Sequence, residues 1–550
     1  MHSMVVFADI ASEVTTVTDP GLIRQHLENK LPNKKPAPAG MVEETQEGAV
    51  SPTLEKIHLQ LKKVIIKGNT VFSNEELQAM FKSSLDRTIS LGDLVRLVNA
   101  ITKKYRSQGY ILSRALLPPQ EIKNGVVTVQ IIEGYISQAT VEGNVGVTKS
   151  LLERYGKQIT QLRPFQISYL ERDMLLMNDL PGITVKAVIH PSKTIPGAAD
   201  LVLVAERAMV QGNVSYDNVG TRYIGPQEIG VKVTLNSTMM AGDSNSLRYV
   251  TVPHTTELSF TEFIHTNPIG TNGLRFTLGG NYSQTHPLFT LSPVDVMGTN
   301  TYVFTDLTYP IWRTRTADLF VHSTFSYQNV KSTILSTLFY YDLIRPLTIG
   351  GNFDSSDSWQ GYNNLSLNLE HGFNIMGATR HFLQSRPLAV PNYTKLMLTG
   401  SRLQLISDRF SLLGAFSGQY SCNPLLASVQ YSYGGPNFGR GYDPSAIVGD
   451  DGLGAKIELR FSTDPEWRWL KQVQYYVFYD GGEIWNRDGV SLPAKQSAFS
   501  TGVGLRINFI PQISGNFYIA KPLTLPVQTL TAMGQNGNQW RSFFQLSLDV

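Results

Sequence analysis

Two hydrophobic periodicities divide the chain. Between Ile57 and Glu206, apolar positions recur at strand spacing and at helix spacing in turn, and after Glu206 only strand-like alternation remains. Ile57 to Gly68 alternates like one strand (Ile57, Leu59, Leu61) and ends in Val64-Ile-Ile-Lys-Gly-Asn69. Asn74 to Lys82 reads as a helix. Ser90 to Gln108 reads as a longer one, with Leu94, Leu97, Val98, Ile101 and Tyr105 at helical spacing and Gly109 as its stop. Tyr110 to Leu117 and Val126 to Ile132 follow as strands. The unit then begins again at Ile136, where Val141-Glu-Gly-Asn144 echoes Ile66-Lys-Gly-Asn69. Helical segments at Val147 to Ile159 and Phe165 to Asn178 precede strands at Ile183 to Ile189 and Asp200 to Glu206. Each copy is strand–helix–helix–strand–strand, large enough to bury one small α+β core. A repeat of this kind is an organising feature.

Beyond Glu206 the runs are of one type: Leu365 to Leu369, Ala455 to Phe461, Gly502 to Phe509 and Phe544 to Val550. One face of each is apolar, and the other carries Ser, Asn, Lys, Arg, Glu or Gln. Segments of about ten residues with this alternation mark a transmembrane β-barrel. At roughly 20 to 22 residues per strand and turn, residues 207–550 supply about 16 antiparallel strands. Trp312, Trp485 and Trp540 fall at strand ends, as interfacial girdles require. A soluble β-sandwich is the alternative, and it would have to bury all these faces in a second, very large sheet. If both repeats stand on one side, an even strand count brings the C-terminus to that side. Counting strands back from Val550 then places the loop before Ala455 on the opposite side.

That loop, about 433–454, is rich in glycine and proline and excludes regular helix or strand. Its length inside a strand-rich chain points to function. Arg440 sits in its middle between Gly439 and Gly441 and before Tyr442, and its one sheltered destination is the barrel lumen. Whether Asp480 on a nearby strand faces in or out is open at this level, because Tyr475 to Phe478 is apolar on both faces.

Residues 1–56 differ from both parts. Asp19 followed by Pro20 starts a short helix over about 19–31, with Ile23, Leu27 and Leu31 on one narrow stripe and polar residues elsewhere. It reads either as a surface helix on a tether or as a polar helix lodged in a watery channel. The Pro-rich stretch from Pro32 to Pro52 is a linker. Met1 to Ala11 has neither a basic n-region nor a full apolar h-region, and reads as the tail of a signal peptide or as a mature start.

Composition narrows the function further. A net charge of +3 with 17% charged residues provides no field for nucleic acid. The single Cys422 forms no internal disulfide. No apolar run approaches the roughly 18 residues of a membrane-spanning helix. There is no His-Glu-x-x-His, no Gly-x-Ser-x-Gly and no Cys/His cluster at metal spacing, so no catalytic residue, cofactor or metal ligand is assigned. Gly449-Asp-Asp-Gly-Leu-Gly454-Ala-Lys456 imitates a phosphate loop, but Ala455 displaces the required lysine and a strand follows.

These features resemble the two-partner secretion transporters, the haemolysin secretion/activation proteins of ShlB, FhaC and HecB type. They belong to the outer-membrane superfamily that joins periplasmic POTRA domains to a 16-stranded barrel. The resemblance covers almost the whole chain: helix and linker (1–56), POTRA 1 (57–135), POTRA 2 (136–206) and barrel (207–550). Its POTRA stretch is Gly109-Tyr110 through Pro118-Pro119 to Gln120, followed by Gly125 and Ile132-Glu-Gly134-Tyr135. Its inward loop motif is Phe438-Gly439-Arg440-Gly441-Tyr442, and the partner motif is Phe478-Tyr-Asp480-Gly-Gly482. Two departures stand out. Gly439 replaces the usual hydrophobic residue and is expected to loosen the loop tip, and the chain ends in Val550 where barrels commonly end in an aromatic.

The resemblance implies an outer-membrane transporter, not an enzyme, that captures an unfolded exoprotein through its POTRA domains and passes it through the barrel without ATP. It further implies a helix that plugs the resting pore and an Arg440–Asp480 pair that shapes it. Implied partners are the exoprotein's N-terminal secretion domain, outer-membrane lipid and the barrel-assembly machinery, with no nucleic acid or nucleotide. The competing readings are an outer-membrane insertase of the same superfamily, a small-solute channel, or an outer-membrane enzyme.

Overall fold

A computed structural model describes residues 13–28, 52–195, 197–465, 467–490 and 493–550. The chain divides into two compact units. Among the described residues, one holds 52–195, 197–208 and Met239–Gly242; the other holds the N-terminal helix and the remaining residues from Met209 onward.

The first unit contains the same fold twice. In the first copy Lys63–Lys67 lies parallel to Val126–Ile132, which pairs antiparallel with Arg114–Leu116. Helix Leu91–Ser107 covers this sheet. It starts at a capping box, in which Ser90 accepts from the Asp93 N–H and the Asp93 carboxylate accepts from the Ser90 N–H. Leu94, Val98, Ile101 and Tyr105 are buried against Val127, Val129 and Ile131. In the second copy Tyr135–Glu142 lies parallel to Ala198–Arg207, which pairs antiparallel with Ile183–Pro191. Helices Lys149–Thr160 and Ile167–Asn178 complete it.

Two sequence expectations need correction. The run Ile57 to Gly68 is not one strand. Lys62 and Lys63 both turn their N–H groups to the Gly125 carbonyl (2.8 and 3.2 Å), so His58–Leu61 pairs instead with Arg87–Ser90. The strand expected over Tyr110 to Leu117 shrinks to Arg114–Leu116. The preceding residues form a turn, with Tyr110 N–H on Tyr105 O and Ser113 N–H on Tyr110 O, both at 3.0 Å.

The second unit is a closed barrel of sixteen antiparallel strands, from Val210–Asp217 to Arg541–Asp549. The eighth runs in two segments, Thr337–Ile344 and Pro346–Ser356, both paired to Ala317–Ile334. Closure comes from Arg541–Asp549 pairing with Val210–Asp217. Val550 extends this seam: its N–H and carbonyl exchange bonds with Gly212 at 2.9 and 2.8 Å. Alternation does what the sequence predicts. Leu365, Leu367 and Leu369 are 42–50% exposed on the outer wall, while Ser366 and Asn368 point inward. Trp312, Trp485 and Trp540 stand at or beside strand ends.

An even strand count leaves the first and last strands opening onto one rim. The long connections 373–393, 422–450 and 523–540 rise from the opposite, far rim. Helix Pro20–Glu28 lies inside the barrel. Ile23 and Leu27 pack there on the inward residues Ile224, Val250, Val252, Leu258 and Phe260.

Candidate functional site: the filled lumen

Asp480 faces the lumen. On strand Gln472–Trp485 the inward positions are Tyr476, Phe478, Asp480, Gly482 and Ile484, while Tyr475, Val477 and Tyr479 are about half exposed outside. The loop 422–450 folds in from the far rim and sets Arg440 on that strand. The Arg440 backbone N–H and Nε donate to Asp480 Oδ2 at 2.9 and 3.0 Å, and Nη2 donates to Oδ1 at 2.7 Å. The guanidinium lies 3.5 Å from the centre of the Phe478 ring. Arg440 is 4% exposed and Asp480 0%. A planar fork on a carboxylate, desolvated on both sides, is the strong form of this interaction.

Neighbouring contacts fix the rest of the motif. Gly441 N–H donates to Ser500 Oγ (3.2 Å), and Tyr442 OH donates to the Phe499 carbonyl (2.8 Å). Tyr442, Tyr433, Tyr431 and Ile447 pack with Ile484 and Ala498 of the wall, and Phe438 packs at the margin of this cluster. Gly482 backs onto the Tyr433 ring. The expected loosening at Gly439 does not occur. Its φ is +85°, and a Cβ there would lie 2.6 Å from the Tyr433 ring, so glycine lets the tip seat closely. The exclusion of strand structure also needs correction. Tyr431–Tyr433 pairs with Ile447–Gly449 as a short hairpin at the neck, since the turn-forming residues are confined to the tip between them.

The structure adds partners that sequence reasoning missed. Arg440 Nη1 donates to Glu458 Oε2 at 2.6 Å, and Glu458 also accepts from Arg460 (2.6 Å) and Arg506 (2.7 Å). Asp443 holds Arg541 of the last strand and Thr529 Oγ1 (2.7 Å). A signal for Glu458 existed. In Ala455 to Phe461 the charges Lys456, Glu458 and Arg460 all fall on one face, and on a membrane strand that face is the lumen.

The N-terminal helix is seated from cap to tail. Asp19 Oδ1 accepts the N–H groups of Gly21 (2.9 Å) and Leu22 (3.0 Å), and Oδ2 accepts the Tyr340 hydroxyl (2.6 Å). Gln25 Nε2 donates to the Ser428 carbonyl (2.7 Å), Arg248 to the Leu27 carbonyl (2.9 Å) and Asn281 to Glu28 (2.7 Å). Leu31, residues 32–51 of the Pro-rich linker and the Met1 to Ala11 stretch lie outside the described residues, whereas Pro52 opens a short 3-10 turn, Pro52–Lys56.

Gly109, Tyr110, Gly134 and Tyr135 of the POTRA motif gather where the two repeats join, whereas Pro118 and Pro119 run away from that junction. Gly109, with φ +86°, ends the long helix and its carbonyl accepts Ile167 N–H (2.9 Å). Gly134 accepts Phe165 N–H (2.9 Å), and the Arg163 guanidinium lies 4.0 Å over the Tyr135 ring. Tyr110 packs edge-on to Tyr105, and Pro118 and Pro119 follow the short strand Arg114–Leu116. Glu133, which lies within the motif Ile132-Glu-Gly-Tyr135, accepts from Thr70 N–H (2.7 Å), Val71 N–H (3.0 Å) and the Tyr105 hydroxyl (2.8 Å). Burial pushes its carboxyl upward, but these donors, with the Thr70 hydroxyl, hold it below the ordinary glutamate value.

Comparison with known proteins extends the geometry. The model of the haemolysin secretion/activation proteins ShlB/FhaC/HecB matches residues 197–507, and that of ShlB-type POTRA domains matches residues 59–134. The chain is 23% identical to the heme/hemopexin transporter protein HuxB of Haemophilus influenzae strain 86-028NP, over 92% of this chain and 91% of that protein. It is 24% identical to the outer membrane transporter CdiB of Dickeya dadantii strain 3937, over 78% and 76% of the two chains. The structure of CdiB from Escherichia coli superposes with a TM-score of 0.74 at 18% identity, covering 97% of this chain and 95% of that one.

Proposed function

The chain belongs to the haemolysin secretion/activation protein family ShlB/FhaC/HecB, and from that premise we propose how it moves a large exoprotein across the outer membrane. The family is one of two-partner secretion transporters, not enzymes; its barrel sits in the outer membrane with the POTRA domains in the periplasm. The near rim is therefore periplasmic and the far rim extracellular.

The exoprotein is captured in the periplasm, unfolded, through its N-terminal secretion domain. Strand Ile183–Pro191 is an edge of its sheet, with Val188 39% exposed, and an extended segment can add to it by backbone hydrogen bonds. The chain then passes through the barrel without ATP or another nucleotide, drawn by folding outside. Outer-membrane lipid covers the apolar outer wall, and the barrel-assembly machinery inserts the protein.

The observation that carries this reading is how the lumen is filled. Helix Pro20–Glu28 is fastened at Asp19, Gln25, Leu27 and Glu28 by hydrogen bonds to the wall and the loop. Water can replace such bonds at small net cost, and the helix adds to the apolar cluster on the wall only the narrow Ile23 and Leu27 stripe, so it is a removable plug. The Arg440 loop, which like the helix has apolar packing, adds a buried ion pair to the wall strands, and stays as the element that shapes the path.

The test is secretion of the large protein encoded beside this one, in cells with and without residues 57–206. Loss of secretion with a normally assembled barrel supports capture by the repeats. Normal secretion without them sinks it, and failure of other barrel proteins to insert would favour the insertase.

A further inference from the structure

A second buried arginine stands at the extracellular mouth, outside the Arg440 site. Arg386 lies in loop 373–393, between strands Gly361–Gly372 and Thr394–Leu405. It is 8% exposed, and it reaches three separate segments. Nη1 donates to the Leu425 carbonyl (2.6 Å) and to Asp450 Oδ1; Nη2 donates to Asp450 Oδ2 (3.2 Å) and to Asp488 Oδ2 (2.7 Å). Asp450 is fully buried and also accepts Leu425 N–H and Arg487 N–H, both at 2.8 Å. Leu425 and Asp450 belong to the two arms of the loop that carries Arg440. Asp488 follows the strand that carries Asp480.

The residue before Arg386 is anchored on the other side of the mouth. Ser385 N–H donates to Asp342 Oδ1 (3.0 Å), and its hydroxyl donates to Oδ2. Asp342 points into the lumen, two positions from Tyr340, which holds Asp19 of the plug. Ser385 Oγ also accepts Ala427 N–H at 2.9 Å. The segment Ser385–Arg386 thus runs as a chord over the lumen, from the eighth strand to the loop after the thirteenth.

Beneath the chord lies the neck segment 425–430, and the plug grips it from below. Gln25 donates to the Ser428 carbonyl at 2.7 Å. Gly21 approaches so closely that a Cβ on it would fall 2.3 Å from the Ser428 Cβ. The neck is held between two clamps, one outside and one inside.

We propose that Ser385–Arg386 is an exit latch: Arg386 bolts the extracellular loop across the lumen to Asp450 and Asp488, and the latch must lift before the neck can shift and the plug can leave. This rests on the translocation reading and adds a gate to it. Arg386 is a positioning residue. A guanidinium is needed because one group must serve two carboxylates and a carbonyl in one plane, which an ammonium cannot do.

The test uses the purified full-length protein in planar bilayers. Arg386→Gln is expected to raise the frequency of large openings at least tenfold, with barrel assembly unchanged, and Arg386→Lys is expected to restore closure only in part. Openings as rare as in the parent overturn the proposal. A second arm acts on an already folded barrel: Ser385→Cys with Ala427→Cys in a Cys422→Ser background. Oxidised, the pair should show no openings and no export, and reduction should restore both. Export from the oxidised form sinks the latch, whereas absence of export from reduced and parental protein alike would sink the translocation reading instead.

Discussion

Asp480 takes three N–H groups from Arg440, one from the backbone and two from the guanidinium, at 2.9, 3.0 and 2.7 Å. The pair fixes position and orientation of the loop tip together. Removing either partner leaves the other buried and charged, at a cost of about 3–5 kcal/mol. Arg440→Ala and Asp480→Ala are expected to unseat the tip and reduce export, with barrel levels preserved. Arg440→Lys should fail nearly as badly, because a point charge cannot span Asp480 and Glu458. Normal export from the lysine variant would refute the role of the fork.

Glu458 accepts from Arg440, Arg460 and Arg506. Glu458→Gln keeps the shape and removes the charge, leaving three cations around a neutral amide. Repulsion among them should loosen the tip, and lower salt should deepen the effect. Limited proteolysis of the loop at low and high ionic strength checks this, with faster cleavage expected at low salt.

Asp19 caps the plug helix and also holds Tyr340. Asp19→Ala removes two accepted backbone N–H groups, worth about 1–2 kcal/mol, and leaves the Tyr340 hydroxyl buried. Entry of a large antibiotic through the outer membrane should rise. Unchanged entry would mean that the helix does not limit the pore.

Asp173 is 3% exposed on helix Ile167–Asn178, and burial raises its pKa to about 6, against a smaller lowering by Arg172. A carboxyl that binds its proton more tightly when folded favours the native state below pH 3.8, and this contribution is lost as pH rises through about 6. At neutral pH the buried charge therefore opposes folding by about 3 kcal/mol relative to the protonated form. Asp173→Asn should protect this domain against urea-dependent proteolysis at pH 7 and flatten its dependence between pH 4 and 6. Equal pH slopes in parent and variant would contradict this.

Gly134 lies where a Cβ would meet the Leu112 carbonyl at 2.4 Å. Gly134→Ala is expected to spread the junction between the repeats and expose Phe165, which is fully buried. Faster hydrogen exchange at Phe165 and Ile167 in the full-length protein would register the change.

Alternation by itself determined the barrel, because a membrane strand must present carbon to lipid at every second residue whatever its neighbours are. The repeat, the helix started by Asp19 and the irregular loop around Arg440 were legible for similar local reasons: a capping carboxylate, a period, a cluster of glycines. The inward face of Asp480 was not. Tyr476 and Phe478 point into the lumen and are buried under Arg440, Tyr518 and Phe543, so the lumen side is as apolar there as the lipid side. Glu458, Arg386 and the plug's contact at Ser428 were likewise decided only in three dimensions. Their partners lie on segments far apart in sequence, and barrel closure and the inward fold of one loop bring them together. Charge in a buried place is balanced by whatever the fold delivers, and local pattern carries no record of that.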